Sequence, residues 1–120
     1  FGGQPSRSST ESWNGTSWTE LNDMNTQRFA LQGSGSYTAA VAFGGSPTPS
    51  PSSYKANTED WNGVSWQETS DLSTARYYLA GSVNGTSTAA LAFGGSSGSS
   101  VTSTENWSGT SETVKTISTD

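Results

Sequence analysis

The chain repeats itself, and that repeat restricts the fold more than any other feature. Ala39-Ala40-Val41-Ala42-Phe43-Gly44-Gly45 returns as Ala89-Ala90-Leu91-Ala92-Phe93-Gly94-Gly95, and Phe1-Gly2-Gly3 reads as the tail of an earlier copy, at spacings of 42 and 50 residues. A second block, Thr10-Glu11-Ser12-Trp13-Asn14-Gly15-Thr16-Ser17-Trp18, returns from Thr58 to Trp66 and again from Thr104 to Glu112, where the second tryptophan is lost. A third block, Leu21 to Leu31, matches 69–79 in its Asp, apolar, Thr, Arg and Leu positions. A period in the forties with one Gly-Gly and one tryptophan per unit points to propeller blades. Helical repeats of that length would need a 3.6-residue apolar period and few glycines, and neither is present.

Within a unit the blocks read as four short strands. In the first complete unit they are placed at 29–33, 37–43, 58–61 and 65–69. Asn62-Gly63 between the third and fourth strands signals a two-residue type I′ hairpin, since both central residues of that turn need positive φ; Asn14-Gly15 and Ser108-Gly109 repeat the signal. The second strand is apolar on consecutive residues, as a strand covered on both faces requires. Such a strand would also suit a β-sandwich, but a sandwich does not call for equal units. The distance from Phe-Gly-Gly to the first tryptophan is 12, 18 and 14 residues in the three copies, so length varies where the loops belong. The longest of these loops carries Pro47, Pro49 and Pro51, which cannot join a ladder and imply exposed, extended chain.

Only 29% of residues are apolar, a level at which a Ser/Thr/Gly-rich chain would ordinarily stay disordered. Against disorder stand the low charged fraction, 12%, and thirteen aromatic residues that fall largely at recurrent positions and bury much area each. The net charge is −5, with Arg7, Arg28, Lys55, Arg76 and Lys115 scattered singly, so no basic stripe exists to follow a phosphate backbone and nucleic acid is not an expected partner. No apolar run is long enough for a membrane-spanning helix, and no membrane insertion is expected. Cysteine and histidine are both absent, which removes thiolate nucleophiles, imidazole bases and the common zinc ligands together. No catalytic residue, cofactor or metal is therefore expected.

These residues resemble the kelch family of β-propellers: Phe-Gly-Gly closing a second strand, a variable loop, a short strand ending at Trp13 or Trp61, and another tryptophan opening the fourth. The resemblance spans essentially the whole chain, although a tryptophan stands where the family's third strand usually has tyrosine. It implies an all-β fold of about two and a half four-stranded antiparallel blades in an incomplete ring: a half blade (1–28), a blade (29–76) and a blade with a degenerate last strand (77–120). Two and a half blades leave uncovered faces and edges, so the expected partners are further blades of a longer polypeptide or other copies of the chain, in a closed ring or an open filament. The Thr/Ser/Ala-rich flavour of the repeat is similar to phage and bacterial surface proteins, which implies an extracellular, cell-surface or virion setting.

Residues fixed in every unit are read as structural: Trp13, Trp18, Trp61, Trp66, Trp107, Gly44, Gly45, Gly94 and Gly95. Arg28 and Arg76 join them because they recur once per blade, as do Glu11, Glu59 and Glu105, so that pairing or backbone hydrogen bonding is favoured over an anionic ligand. The tryptophans could instead stack on sugars, and Glu59-Asp60, Glu20 with Asp23 or Glu68 with Asp71 could serve a glycosidase, though no spacing supports that. Function is sought where units differ. The long loops (4–9, 46–56, 96–103) share one face with the fourth-to-first connections, and Asn22, Asp23, Asn25, Tyr54, Lys55 and Asp71 are its candidate binding residues, on a polar and aromatic-poor surface. The expectation is a non-catalytic structural or adhesion module, glycan- or surface-binding through the loops of one face, with a filament subunit and a glycan-active enzyme domain as alternatives.

Overall fold

A computed structural model describes residues 1–48, 53–82 and 84–109 and the backbone of 115–117. It is all-β, with ten strands among the described residues, in three antiparallel meanders. β1 (Thr10–Trp13) and β2 (Trp18–Leu21) form a two-stranded half blade. β3 (Gln32–Ser36), β4 (Ala39–Phe43), β5 (Thr58–Trp61) and β6 (Trp66–Thr69) form the first blade, and β7 (Ala80–Gly81), β8 (Ala90–Phe93), β9 (Thr104–Trp107) and β10 (Lys115–Ile117) the second. The strands follow one another in each sheet, and among the described residues the sheets do not close into a ring.

Side-chain alternation gives each blade two working faces. On one face of the first blade, Ala40, Ala42, Trp61 and Trp66 pack with Met24, Leu21 and Leu31 from the half blade and its connection. On the other, Val41 and Phe43 meet Leu79, Ala90, Ala92 and Trp107 of the second blade and Leu72 of the connection leading to it. β4 is thus buried on both sides, which is why its sequence is apolar without alternation. Alanine at 40, 42, 90 and 92 lets the stacked sheets approach closely.

Four expectations shift in detail. The first strand begins at Gln32, not Phe29, because Ala30 takes φ 53°; Phe29 keeps only an isolated bridge to Ser46. The second strand starts at Ala39, with Tyr37 and Thr38 in the turn, and the fourth starts at Trp66. The hairpin between β5 and β6 centres on Gly63-Val64, flanked by Asn62 and Ser65, and Gly63 alone has positive φ, at 96°. A type I′ turn needs positive φ at both central residues, so this turn is not of that type. Asn62 acts from outside the turn, its Oδ1 accepting from the Val64 and Ser65 amides at 2.9 and 3.0 Å. The lost tryptophan at Glu112, and Pro49 and Pro51, lie outside the described residues.

Candidate functional site

The recurrent arginines are interior bolts. Arg28 lies in the connection leading to β3 and is wholly buried. Its guanidinium donates to Glu59 on β5, to the Gly44 carbonyl at 3.1 Å and to the Asn57 carbonyl at 2.7 Å. The Glu59 carboxylate also accepts from the Asn25 amide at 2.6 Å and its side-chain Nδ2 at 2.9 Å, so both ions are held in a network of charge-assisted bonds. The second blade repeats the arrangement: Arg76 reaches Glu105 at 2.7 Å, the Gly94 carbonyl at 3.1 Å and the Ser103 carbonyl at 2.9 Å, and the Ser73 amide donates to Glu105. Each arginine ties the second strand's end, the start of the third strand and the incoming connection to one point. These carboxylates are consumed in the fold and are not available as a hydrolytic pair.

Gly44, Gly45, Gly94 and Gly95 all have positive φ, between 69° and 93°. At Gly45 a Cβ would lie 2.7 Å from the Phe29 carbonyl oxygen, so the bend that carries the chain away from β4 also needs that closeness. The tryptophans divide by position. Trp61, Trp66 and Trp107 are buried, with indole N–H groups donating to Tyr37 O, Thr10 Oγ1 and Ser87 O at 3.2, 2.8 and 2.7 Å. Trp13 and Trp18 stand in the same mutual geometry as Trp61 and Trp66, with ring centroids 5.4 Å apart in both pairs, yet are 52% and 64% exposed. Among the described residues, no blade covers the half blade's outer face.

Of the polar candidates, Asn22 Nδ2 donates to the Val64 carbonyl at 2.7 Å, and Asn25 Nδ2 is spent on Glu59 and the Trp66 carbonyl. Both link one blade to the next. Asp23 accepts from the Ser8 hydroxyl at 3.0 Å, which fastens the first loop to its connection. Asp71 is exposed, and Lys55 lies partly buried with its backbone bonded to Gly45 and Arg76.

Tyr54 leads to a feature that the sequence reading missed. Its ring stacks on Tyr77 at 4.8 Å and 17°, Tyr77 meets Tyr78 at 4.6 Å, and Tyr78 lies edge-on to Phe29 at 6.2 Å. Tyr54 comes from the β4–β5 loop, Tyr77 and Tyr78 from the connection between blades, and the Tyr77 backbone is bridged to Ser96 of the β8–β9 loop. Three segments of two blades therefore place one aromatic cluster at the seam, and the face is not aromatic-poor. Tyr78 is 65% exposed and takes φ 52°, an uncommon conformation for a bulky residue. Ala30 holds the same conformation at the equivalent position of the preceding unit. The signal was legible there: a repeat position with alanine in one unit and tyrosine in the other is one that packing does not dictate.

No protein-family model matches the chain, and no curated protein matches it. Among solved structures it is similar to "Structure of YjhT", a kelch-repeat β-propeller protein, with a TM-score of 0.67 at 17% identity over 90% of this chain. The chain spans 37% of that protein's length. The likeness establishes the fold alone: all-β, in antiparallel sheets that resemble part of a kelch propeller.

Proposed function

We propose that this chain is a non-catalytic adhesion module that binds glycan through the tyrosine cluster at the seam between its blades, within an extracellular, cell-surface or virion assembly. The observation that carries the reading is the Tyr54–Tyr77–Tyr78 cluster, with one ring largely exposed, on a face flanked by loops of variable length. Sugar rings present C–H faces that lie on aromatic rings, while their hydroxyls need polar neighbours such as the serines of the 96–103 loop. A catalytic reading finds less support, since Glu59 and Glu105 are bonded to buried arginines.

A glycan array probed with the labelled protein tests this, followed by titration of any retained saccharide. Tyr78→Ala should weaken binding at least tenfold while leaving the unfolding free energy within about 0.5 kcal/mol of the parent, because exposed surface changes usually fall in that range and Ala30 already occupies the same backbone conformation. Retention unaffected by both Tyr54→Ala and Tyr78→Ala would remove the cluster from the reading.

A second reading, a subunit of a head-to-tail filament, is favoured by one observation. The outer face of the half blade shows Trp13 and Trp18, and the opposite end of the chain shows Leu91 and Phe93, each 39% exposed. Two unlike apolar faces at opposite ends are what heterologous association requires. Sedimentation over a concentration series separates a module of fixed mass from one that grows without limit.

A further inference from the structure

The inner edge of β1 is open, and the two blades show what closes such an edge. In the first blade, Phe43, Ala42, Val41 and Ala40 lie across from Thr58, Glu59, Asp60 and Trp61. The second blade repeats this register, with Phe93, Ala92, Leu91 and Ala90 across from Thr104, Glu105, Asn106 and Trp107. Phe1-Gly2-Gly3 occupies the end of the corresponding track beside β1. The Gly2 amide donates to Ser9 O at 3.2 Å as Gly44 does to Asn57 O at 3.1 Å, and Gly3 donates to Arg28 O at 3.1 Å as Gly45 does to Arg76 O at 2.8 Å. The rings agree as well: a Cβ at Gly33 would collide with the Phe1 ring, and one at Gly81 would stand 3.1 Å from Phe43 Cζ.

Further along, Glu11, Ser12 and Trp13 are ladder-paired with β2 alone among the described residues. They wall a groove of about 630 Å³ whose other lining includes Gly33, Gly35, Ala40, Trp61 and Trp66. Glu11 holds the register position of Glu59 and Glu105, which are both buried against arginine, but Glu11 is exposed. The carbonyls that would complete an arginine's site, those of Gly2 and Ser9, match Gly44 and Asn57 in position along the track.

We infer that this groove takes an arginine-bearing, alanine-rich β-hairpin of the repeat's own type, its second strand adding antiparallel to β1 as Ala-x-Ala opposite Trp13, Ser12 and Glu11, and its arginine closing on Glu11. Residues 25–42 are the template for this occupant. A second copy of the chain does not supply it, because both such hairpins in the described residues are already paired within their own sheets and Arg28 and Arg76 are already bonded to Glu59 and Glu105. Backbone pairing along an open edge gives general affinity, and the arginine gives selectivity.

The test adds a capped peptide of residues 25–42 to the protein and follows tryptophan fluorescence. Binding is expected to fall at least tenfold with Glu11→Gln in the protein or Arg28→Gln in the peptide, with little further loss when the two are combined. The same segment joined ahead of Phe1 is the second arm, since it removes the cost of bringing two molecules together. In that fusion Glu11→Gln should lower the urea midpoint, whereas in the parent it should not. A fusion indifferent to Glu11→Gln overturns the inference, as does peptide binding that ignores both substitutions. Self-association of the parent that Glu11→Gln disperses would also overturn it, by putting a second copy in the groove.

Discussion

Glutamine at position 59 tests the buried bolts most directly. Glu59 and Arg28 are both fully buried, and the guanidinium is surrounded by the Glu59 carboxylate and the backbone carbonyls of Thr26, Gly44 and Asn57. Glu59→Gln preserves shape but leaves Arg28 with its charge uncompensated in the interior. Breaking a buried ion pair on one side costs about 3–5 kcal/mol, because the remaining ion stays desolvated without its partner. A domain is stable by only about 5–15 kcal/mol in all. With a urea slope of about 2 kcal/mol per molar, the midpoint should fall by about 2 M. Glu105→Gln should do nearly the same through Arg76. Glu11→Gln, at the same place in the repeat but exposed, should shift the midpoint by less than about 0.3 M, the equivalent of about 0.5 kcal/mol. Tryptophan-detected urea unfolding of the three variants reads all of this. If Glu59→Gln costs under about 1 kcal/mol, or if Glu11→Gln costs as much as Glu59→Gln, the pair is not the interior tie described here.

Phe43→Ala should cost about 3–5 kcal/mol, while Phe93→Ala, at the same repeat position but 39% exposed, should cost less than half of that in the same unfolding assay. Ala30→Gly should raise stability by up to about 1 kcal/mol in thermal unfolding, since it relieves a left-handed alanine and glycine adopts that conformation without strain. Gly35→Ala should destabilise by more than about 1 kcal/mol, because φ is 113° and a Cβ would collide with the Ala39 carbonyl oxygen. Asp60 has its pKa raised above 3.8 by burial, and its Oδ1 has no hydrogen-bond partner among the described residues. The ionised form is therefore disfavoured in the folded state, and the associated stability is present below 3.8 and lost as pH rises through the raised value. Asp60→Asn should be more stable than the parent at pH 7, with the gap closing in acid; urea midpoints across pH 3–7 that run parallel for the two proteins would contradict this.

Much of the architecture is legible in the sequence because strand order, turn placement and cross-strand register repeat with local blocks. The Phe-Gly-Gly bend, the Asn-Gly turn and the paired tryptophans each act within a few residues of themselves, so their recurrence identifies strands and hairpins without knowledge of neighbours. The expectation failed first where one residue broke a local rule. Ala30 enters left-handed conformation, and the strand expected from Phe29 starts later, at Gln32, because no propensity argument reveals an alanine held at positive φ by the surrounding chain. The tyrosine cluster was hidden for a different reason: Tyr54 and Tyr77 are far apart in sequence and meet only where two blades join.

Sequence alone therefore determined the unit: four short strands, a glycine bend and one arginine with one glutamate per blade. Tertiary structure decided what each copy of a residue does. Trp61 is buried and Trp13 exposed, Phe43 is enclosed and Phe93 open, and Glu59 is bonded to arginine while Glu11 lies at an open edge. Identical local sequence cannot distinguish these pairs, because burial and pairing depend on whether another blade lies against that face, and that is a property of the stack, not of the unit.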